Sequence, residues 1–179
     1  MLSRHPVTLL LSLGLLFTTS FSLPTDPKTL LSRASTCSAN TDKLVAGINK
    51  NIELQKQEQA QLKVVTGIVD SDTVDQADFA SAKSKFVDIV NAGITQRKAN
   101  QQLAAGNKAA DGLAIVANAQ AAELKAVTGL TGVASTDDAT FAALSGMFAG
   151  GIAQNQKNAK DAADGCTDAD STGATDNCQ

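Results

Sequence analysis

The chain has 179 residues with 15 basic against 18 acidic side chains, a net charge of −3, one histidine (His5), and no tryptophan or tyrosine. A chain this acidic lacks the basic patch that nucleic-acid binding requires, so no nucleic-acid partner is expected. Three cysteines, 13 glycines and 43% hydrophobic residues are compatible with an ordinary folded domain.

In chain order, Arg4 and His5 precede an apolar run from Val7 to Phe17, and Ser20-Phe21-Ser22 supplies small residues at a cleavage site. Residues 1–22 therefore read as a secretory signal peptide, with an extracellular and disulfide-permissive destination. No later stretch reaches the roughly 18 uncharged apolar residues that spanning requires, so no transmembrane segment is predicted. Cleavage would remove Arg4 and the only histidine, leaving 14 basic residues against 18 acidic in about 157 residues, enough for one domain with a real core.

Residues 23–40, with Pro24 and Pro27, read as a flexible leader. Helical spacing of Val45, Ile48, Ile52, Leu62, Val65 and Val69 predicts a first helix from Thr41 to Val69, interrupted by the polar run Gln55 to Gln61, which reads as an exposed face. Asp70 to Thr73 is a turn and Asp75 a candidate cap. The second helix is expected over Gln76 to Ala105, with Phe79, Phe86, Ile89, Val90 and Ile94 on one face before the sequence turns polar. Gly106-Asn107 breaks the chain. An alanine-rich third helix follows over Lys108 to Leu130, with Leu113, Val116, Leu124, Val127 and Leu130 as core candidates. After a turn ending at Ser135 or Thr136, a fourth helix is expected over Asp137 to Asp164, carrying Phe141, Leu144, Phe148 and Ile152.

The same phrases occur twice. Leu62-Lys63-Val64-Val65-Thr66-Gly67 returns as Leu124-Lys125-Ala126-Val127-Thr128-Gly129, and Asp75, Ala77, Phe79, Ala80 and Phe86 return 62 residues later as Asp137, Ala139, Phe141, Ala142 and Phe148. Identities in one register point to a duplicated supersecondary unit. The expected fold is all-α: an antiparallel four-helix bundle over 41–164, built from two duplicated helical hairpins, followed by an acidic disordered tail over 165–179. In such a bundle the four phenylalanines gather near the hairpin turns, and the far end is softer and more polar.

Cys37 and Cys166 flank the first and last helices and would fall at the same end of the bundle, which makes them the preferred disulfide. Pairing of Cys166 with Cys178 is the rival, and an unpaired Cys178 would offer a route to a dimer.

Without histidine in the mature chain there is no Ser-His-Asp or Cys-His relay and no His-based zinc site. The acid pairs Asp75/Asp78 and Asp137/Asp138 stand in first helical turns, where caps and the helix dipole account for them. The tail from Asp168 to Gln179 shows part of a calcium-loop spacing but lacks the glutamate at its twelfth position. No catalytic residue, metal or cofactor is therefore expected, and the chain reads as non-enzymatic.

A cleaved signal, an Ala/Gly/Gln-rich helical body, few cysteines and no catalytic set resemble the small secreted proteins of filamentous fungi. Over Thr41 to Asp164 the architecture and composition resemble the hydrophobic-surface-binding and cell-wall galactomannoprotein group. That resemblance implies a secreted, cell-wall-associated helical bundle that adsorbs to apolar surfaces or holds lipid. The expected function is binding of an apolar ligand, or of a hydrophobic or cell-wall surface, with Phe79, Phe86, Ile94, Phe141, Phe148 and Ile152 as the contact residues, which are equally the candidate core. The alternative is an effector or elicitor recognised by a host protein through the Gln55 to Gln61 face or the hairpin turns.

Overall fold

The structure, a computed structural model, describes residues 39–164. The described residues form four α-helices and no strand: α1 (Ala39–Val69), α2 (Gln76–Leu103), α3 (Ala110–Gly129) and α4 (Ala134–Ala163). Packing runs in a ring, α1 against α2 and α4, and α3 against the same two. With short connections between successive helices, that ring is the antiparallel up-down-up-down bundle expected from the sequence. The leader up to Ser38, the cysteines Cys37, Cys166 and Cys178, and the tail lie outside the described residues.

A seven-residue rhythm makes these segments helices that pack. In α1 the buried positions Leu44, Ile48, Asn51, Gln55, Glu58, Leu62, Val65 and Val69 alternate steps of four and three. The same alternation runs from Asp137 to Ala162 in α4. A repeat averaging 3.5 residues keeps one seam facing its neighbours along a gently supercoiled helix. An apolar-only reading misses this rhythm, because polar side chains occupy the middle of the seam.

Caps and turns close the hairpins. Asp75 is the N-cap of α2, its carboxylate accepting from the backbone N–H groups of Ala77 at 2.8 Å and Asp78 at 3.1 Å, which satisfies two otherwise unpaired donors. Its sequence counterpart Asp137 works differently. Because α4 begins at Ala134, before the expected Asp137, neither Ser135 nor Thr136 is the cap, and that position falls to Val133, which caps without a side-chain bond. Asp137 sits buried in the first turn and reaches back to the loop, accepting from the N–H groups of Thr131 at 3.0 Å and Gly132 at 2.8 Å and from the Thr131 hydroxyl at 3.0 Å. Gly132 there has φ +80°, and a Cβ on it would meet the Phe79 ring at 2.9 Å, so conformation and space both require glycine.

The interior repeats in a register different from the identities. Gly47 lies against the Asn100 and Gln96 amides, and Gly112 lies in the same way against those of Asn158 and Gln154. Gly93 faces Glu58 and Gln120, whereas Gly151 faces Gln55 and Glu123. Matched positions are thus 65 residues apart between α1 and α3 and 58 apart between α2 and α4, against 62 for the sequence identities. The two departures, of three and four residues, add up to one heptad, by which the second hairpin is shorter at its turn. Buried positions that alternate threes and fours still superpose after such a slip. The identities around the turns therefore carry a spacing other than that of the interior, whereas Gly93-Ile94-x-Gln96, which returns as Gly151-Ile152-x-Gln154, carries the interior spacing of α2 and α4.

Candidate functional site

Two apolar clusters occupy the bundle. The larger, at the hairpin-turn end, joins Leu62, Val65 and Val69 to Phe79, Phe86 and Val90, Val127 and Leu130, and Phe141, Leu144 and Phe148. Phe86 and Phe148 meet at its centre, with ring centroids 5.8 Å apart and planes inclined at 50°. The smaller cluster, Leu44, Ile48, Ile52, Ala104, Ala109, Leu113 and Ala162, closes the opposite end. The far end is thus apolar too, contrary to the sequence expectation, because Leu44 and Leu113 complete a core there and the polar residues withdraw to the middle.

Of the six residues expected to contact a ligand, the four phenylalanines come together in the larger cluster, Phe86 and Phe148 fully enclosed and Phe79 and Phe141 nearly so. Ile94 is half-buried and packs on the same cluster, whereas Ile152 packs on the smaller one at the other end. The surface near the phenylalanines carries an open groove of about 520 Å³ between the start of α2 and the end of α3, lined by Phe79, Lys83, Val87, Leu130 and Thr131 among others. Ala82 holds the core step between Phe79 and Phe86, while its neighbour Lys83 is half-buried and donates from Nζ to the Leu130 carbonyl at 2.7 Å. The groove combines an apolar floor with one cation at its rim.

Between the clusters lies a polar waist that sequence reasoning missed. Asn51, Gln55, Glu58, Asn100, Gln120, Glu123, Asn155 and Asn158 are fully buried, and Arg97 is 9% exposed. The expected exposed face at Gln55 to Gln61 is therefore overturned: Gln55, Glu58 and Gln61 point inward, the first two on core steps of the heptad and Gln61 beside one, and it is Lys56, Gln57 and Ala60 between them that face solvent. The glycines Gly93 and Gly151 give these long side chains their room.

One amide relay runs along α4 and passes to α1: Gln154 donates to Asn158 at 2.8 Å, Asn158 to Asn155 at 3.3 Å, and Asn155 to Gln55 at 2.9 Å. From the first hairpin, Arg97 Nε donates to Gln120 at 3.0 Å, and Gln120 donates to Asn51 at 3.4 Å. Both chains end in amide N–H₂ groups without a partner in the protein, on Gln55 and Asn51, and all four carboxyl oxygens of Glu58 and Glu123 are likewise unpartnered. Burial, reinforced by the charge of Glu123, pushes the Glu58 carboxyl up to about 9, and burial raises Glu123 to about 7.

Among the described residues no three His, Cys, Asp or Glu side chains form a metal-ligating group, and no helix is long and apolar enough to cross a membrane. No protein-family model matches the chain, and no curated protein or solved structure matches it either.

Proposed function

We propose that this is a secreted, non-enzymatic helical protein that binds an apolar ligand or coats a hydrophobic or cell-wall surface, in keeping with its resemblance to the fungal surface-binding group. The observation that carries this reading is the groove at the hairpin-turn end. Its volume falls within the roughly 300–1,000 Å³ of small-molecule sites, and Phe79, Val87 and Leu130, at the edge of the phenylalanine cluster, line it. A lysine ammonium has three donors, of which Lys83 gives one to the Leu130 carbonyl, so two remain for an anionic head group. A fatty acid, with its carboxylate at Lys83 and its chain along Phe79, Val87 and Leu130, matches both features.

The enclosed phenylalanines support the ligand from beneath, so mutating them tests stability more than binding. The discriminating variants are Lys83→Met and Val87→Asp, read by fatty-acid binding with helicity followed by circular dichroism. Lys83→Met should weaken binding of a fatty acid while leaving a fatty alcohol of the same length nearly unaffected, and Val87→Asp should weaken both. Equal binding by wild type and both variants would sink the groove as the site.

For the effector alternative, Gln55, Glu58 and Gln61 are buried, which leaves Lys56, Gln57 and Ala60 of that segment and the hairpin turns as its recognition surface.

A further inference from the structure

We infer that the polar waist is a binding site for one hard divalent cation, of the Ca²⁺, Mg²⁺ or Mn²⁺ class, held between Glu58 on α1 and Glu123 on α3. The two glutamates occupy matched positions in the duplicated hairpins, one on each side of the bundle axis. Both are fully buried, and none of their four oxygens has a hydrogen bond or ion pair within the protein. Buried polar groups are almost always satisfied, and leaving carboxyl oxygens unpaired between two apolar clusters is costly. These oxygens therefore call for a partner that is not a protein group.

The chemistry of the surroundings selects the partner. Around Gly93, Glu58 Oε1, the Gln120 amide and Asn51 Oδ1 converge, lying 3.0, 3.1 and 3.5 Å from the point a Cβ would occupy; around Gly151, Gln55 and Glu123 converge. The oxygens that face this space are those of the two carboxyls and Asn51 Oδ1, with no imidazole or thiolate, which suits oxygen-seeking cations over zinc or copper. Arg97 of the same waist has its guanidinium committed to Gln120 and Gln101, and it pairs with neither carboxyl. A divalent ion would balance two carboxylates, and the unpartnered amide groups of Asn51 and Gln55, equally buried, can hydrogen-bond the outer carboxylate lone pairs or water carried in by the ion. Alanine at Gly93 or Gly151 would fill the space in which these side chains meet.

The full chain, stripped with a chelator, would be titrated separately with Ca²⁺, Mg²⁺ and Mn²⁺ at pH 7.5, following both thermal unfolding and proton release by calorimetry in buffers of different ionisation enthalpy. One ion per chain should bind, releasing about one proton because the Glu58 carboxyl still holds its proton at that pH, and Tm should rise by about 3 to 6 °C for each tenfold excess over Kd. The double variant Glu58→Gln/Glu123→Gln should fold, as shown by its own cooperative melt, and lose both responses. No proton-coupled binding by wild type would mean that the pair is satisfied by protons and internal water alone, and would overturn the site. A response of equal size in the double variant would do the same by assigning it to surface carboxylates.

Discussion

From Leu62 to the hairpin turns, the inward heptad positions hold phenylalanine, leucine and valine; from Asn51 to Glu58 and across the bundle, the same positions hold asparagine, glutamine, glutamate, arginine and glycine. The helices run through both regions without a break. Backbone geometry is therefore shared, and only side-chain chemistry separates a region that is stable by burial from one whose burial has to be compensated by hydrogen bonds. The apolar end can anchor the fold while the waist carries unpaired groups, an asymmetry expected where sequence serves something besides stability.

The sharpest way to break the comparison is to hollow out the apolar side. Phe86→Ala removes one of the two rings in contact at the cluster centre, and should cost about 3–5 kcal/mol in urea unfolding. Phe148→Ala should do the same, and the double variant less than the sum, since the two side chains share one contact.

The waist should respond to pH instead. In the unfolded chain both glutamates ionise near 4.5, whereas in the bundle Glu123 keeps its proton to about 7 and Glu58 to about 9. Between those limits these two groups bind more protons in the folded state than in the unfolded state, so their contribution to stability is greatest below about pH 4.5 and falls as pH rises toward 9. Each group contributes a slope of at most about 1.4 kcal/mol per pH unit. Denaturant midpoints measured in chelator from pH 4 to 9 should show this decline in wild type, and a much flatter profile in Glu58→Gln/Glu123→Gln.

The two matched acids at the turns sharpen the comparison within the duplication. Asp75→Ala removes an exposed cap and should cost about 0.5–2 kcal/mol by thermal or urea unfolding. Asp137→Ala should cost more, because it strips three donors of a buried acceptor.

The smallest effect concerns glycines of opposite kind. Gly146, on the exposed side of α4, has open space where a Cβ would go, and Gly146→Ala should stabilise by about 0.5–1 kcal/mol. Gly151→Ala, little more than one turn further on, should destabilise, because its Cβ would collide with the Gln55 amide. Parallel melts of the two variants check both signs.

Much of the architecture was legible in the residues. Helical spacing, the breaks at Asp70 to Thr73 and Gly106-Asn107, and the doubled Leu-Lys-x-Val-Thr-Gly phrase are local properties, so four helices in two hairpins follow from the chain alone. The cap at Asp75 follows in the same way. The candidate sites were less accessible. Polar residues such as Gln55, Glu58, Arg97 and Asn155 read as solvent-facing because burying them is costly, and only the continued alternation of threes and fours through them signals that they point inward.

The elements and their duplication are written in the chain, because helix propensity, capping and repeat identity act over a few neighbouring residues. The tertiary structure decided the rest. It decided which spacing the interior follows, 65 residues between α1 and α3 and, between α2 and α4, the 58 of Gly93-Ile94-x-Gln96 and Gly151-Ile152-x-Gln154 over the 62 of the turns, since a seam of alternating threes and fours packs equally well after a slip. It brought Glu58 and Glu123 into one interior across the bundle, because the glycines of α2 and α4 leave room opposite them. Whether a polar side chain is a surface or a site depends on what stands across from it, and that is a property of the assembled helices.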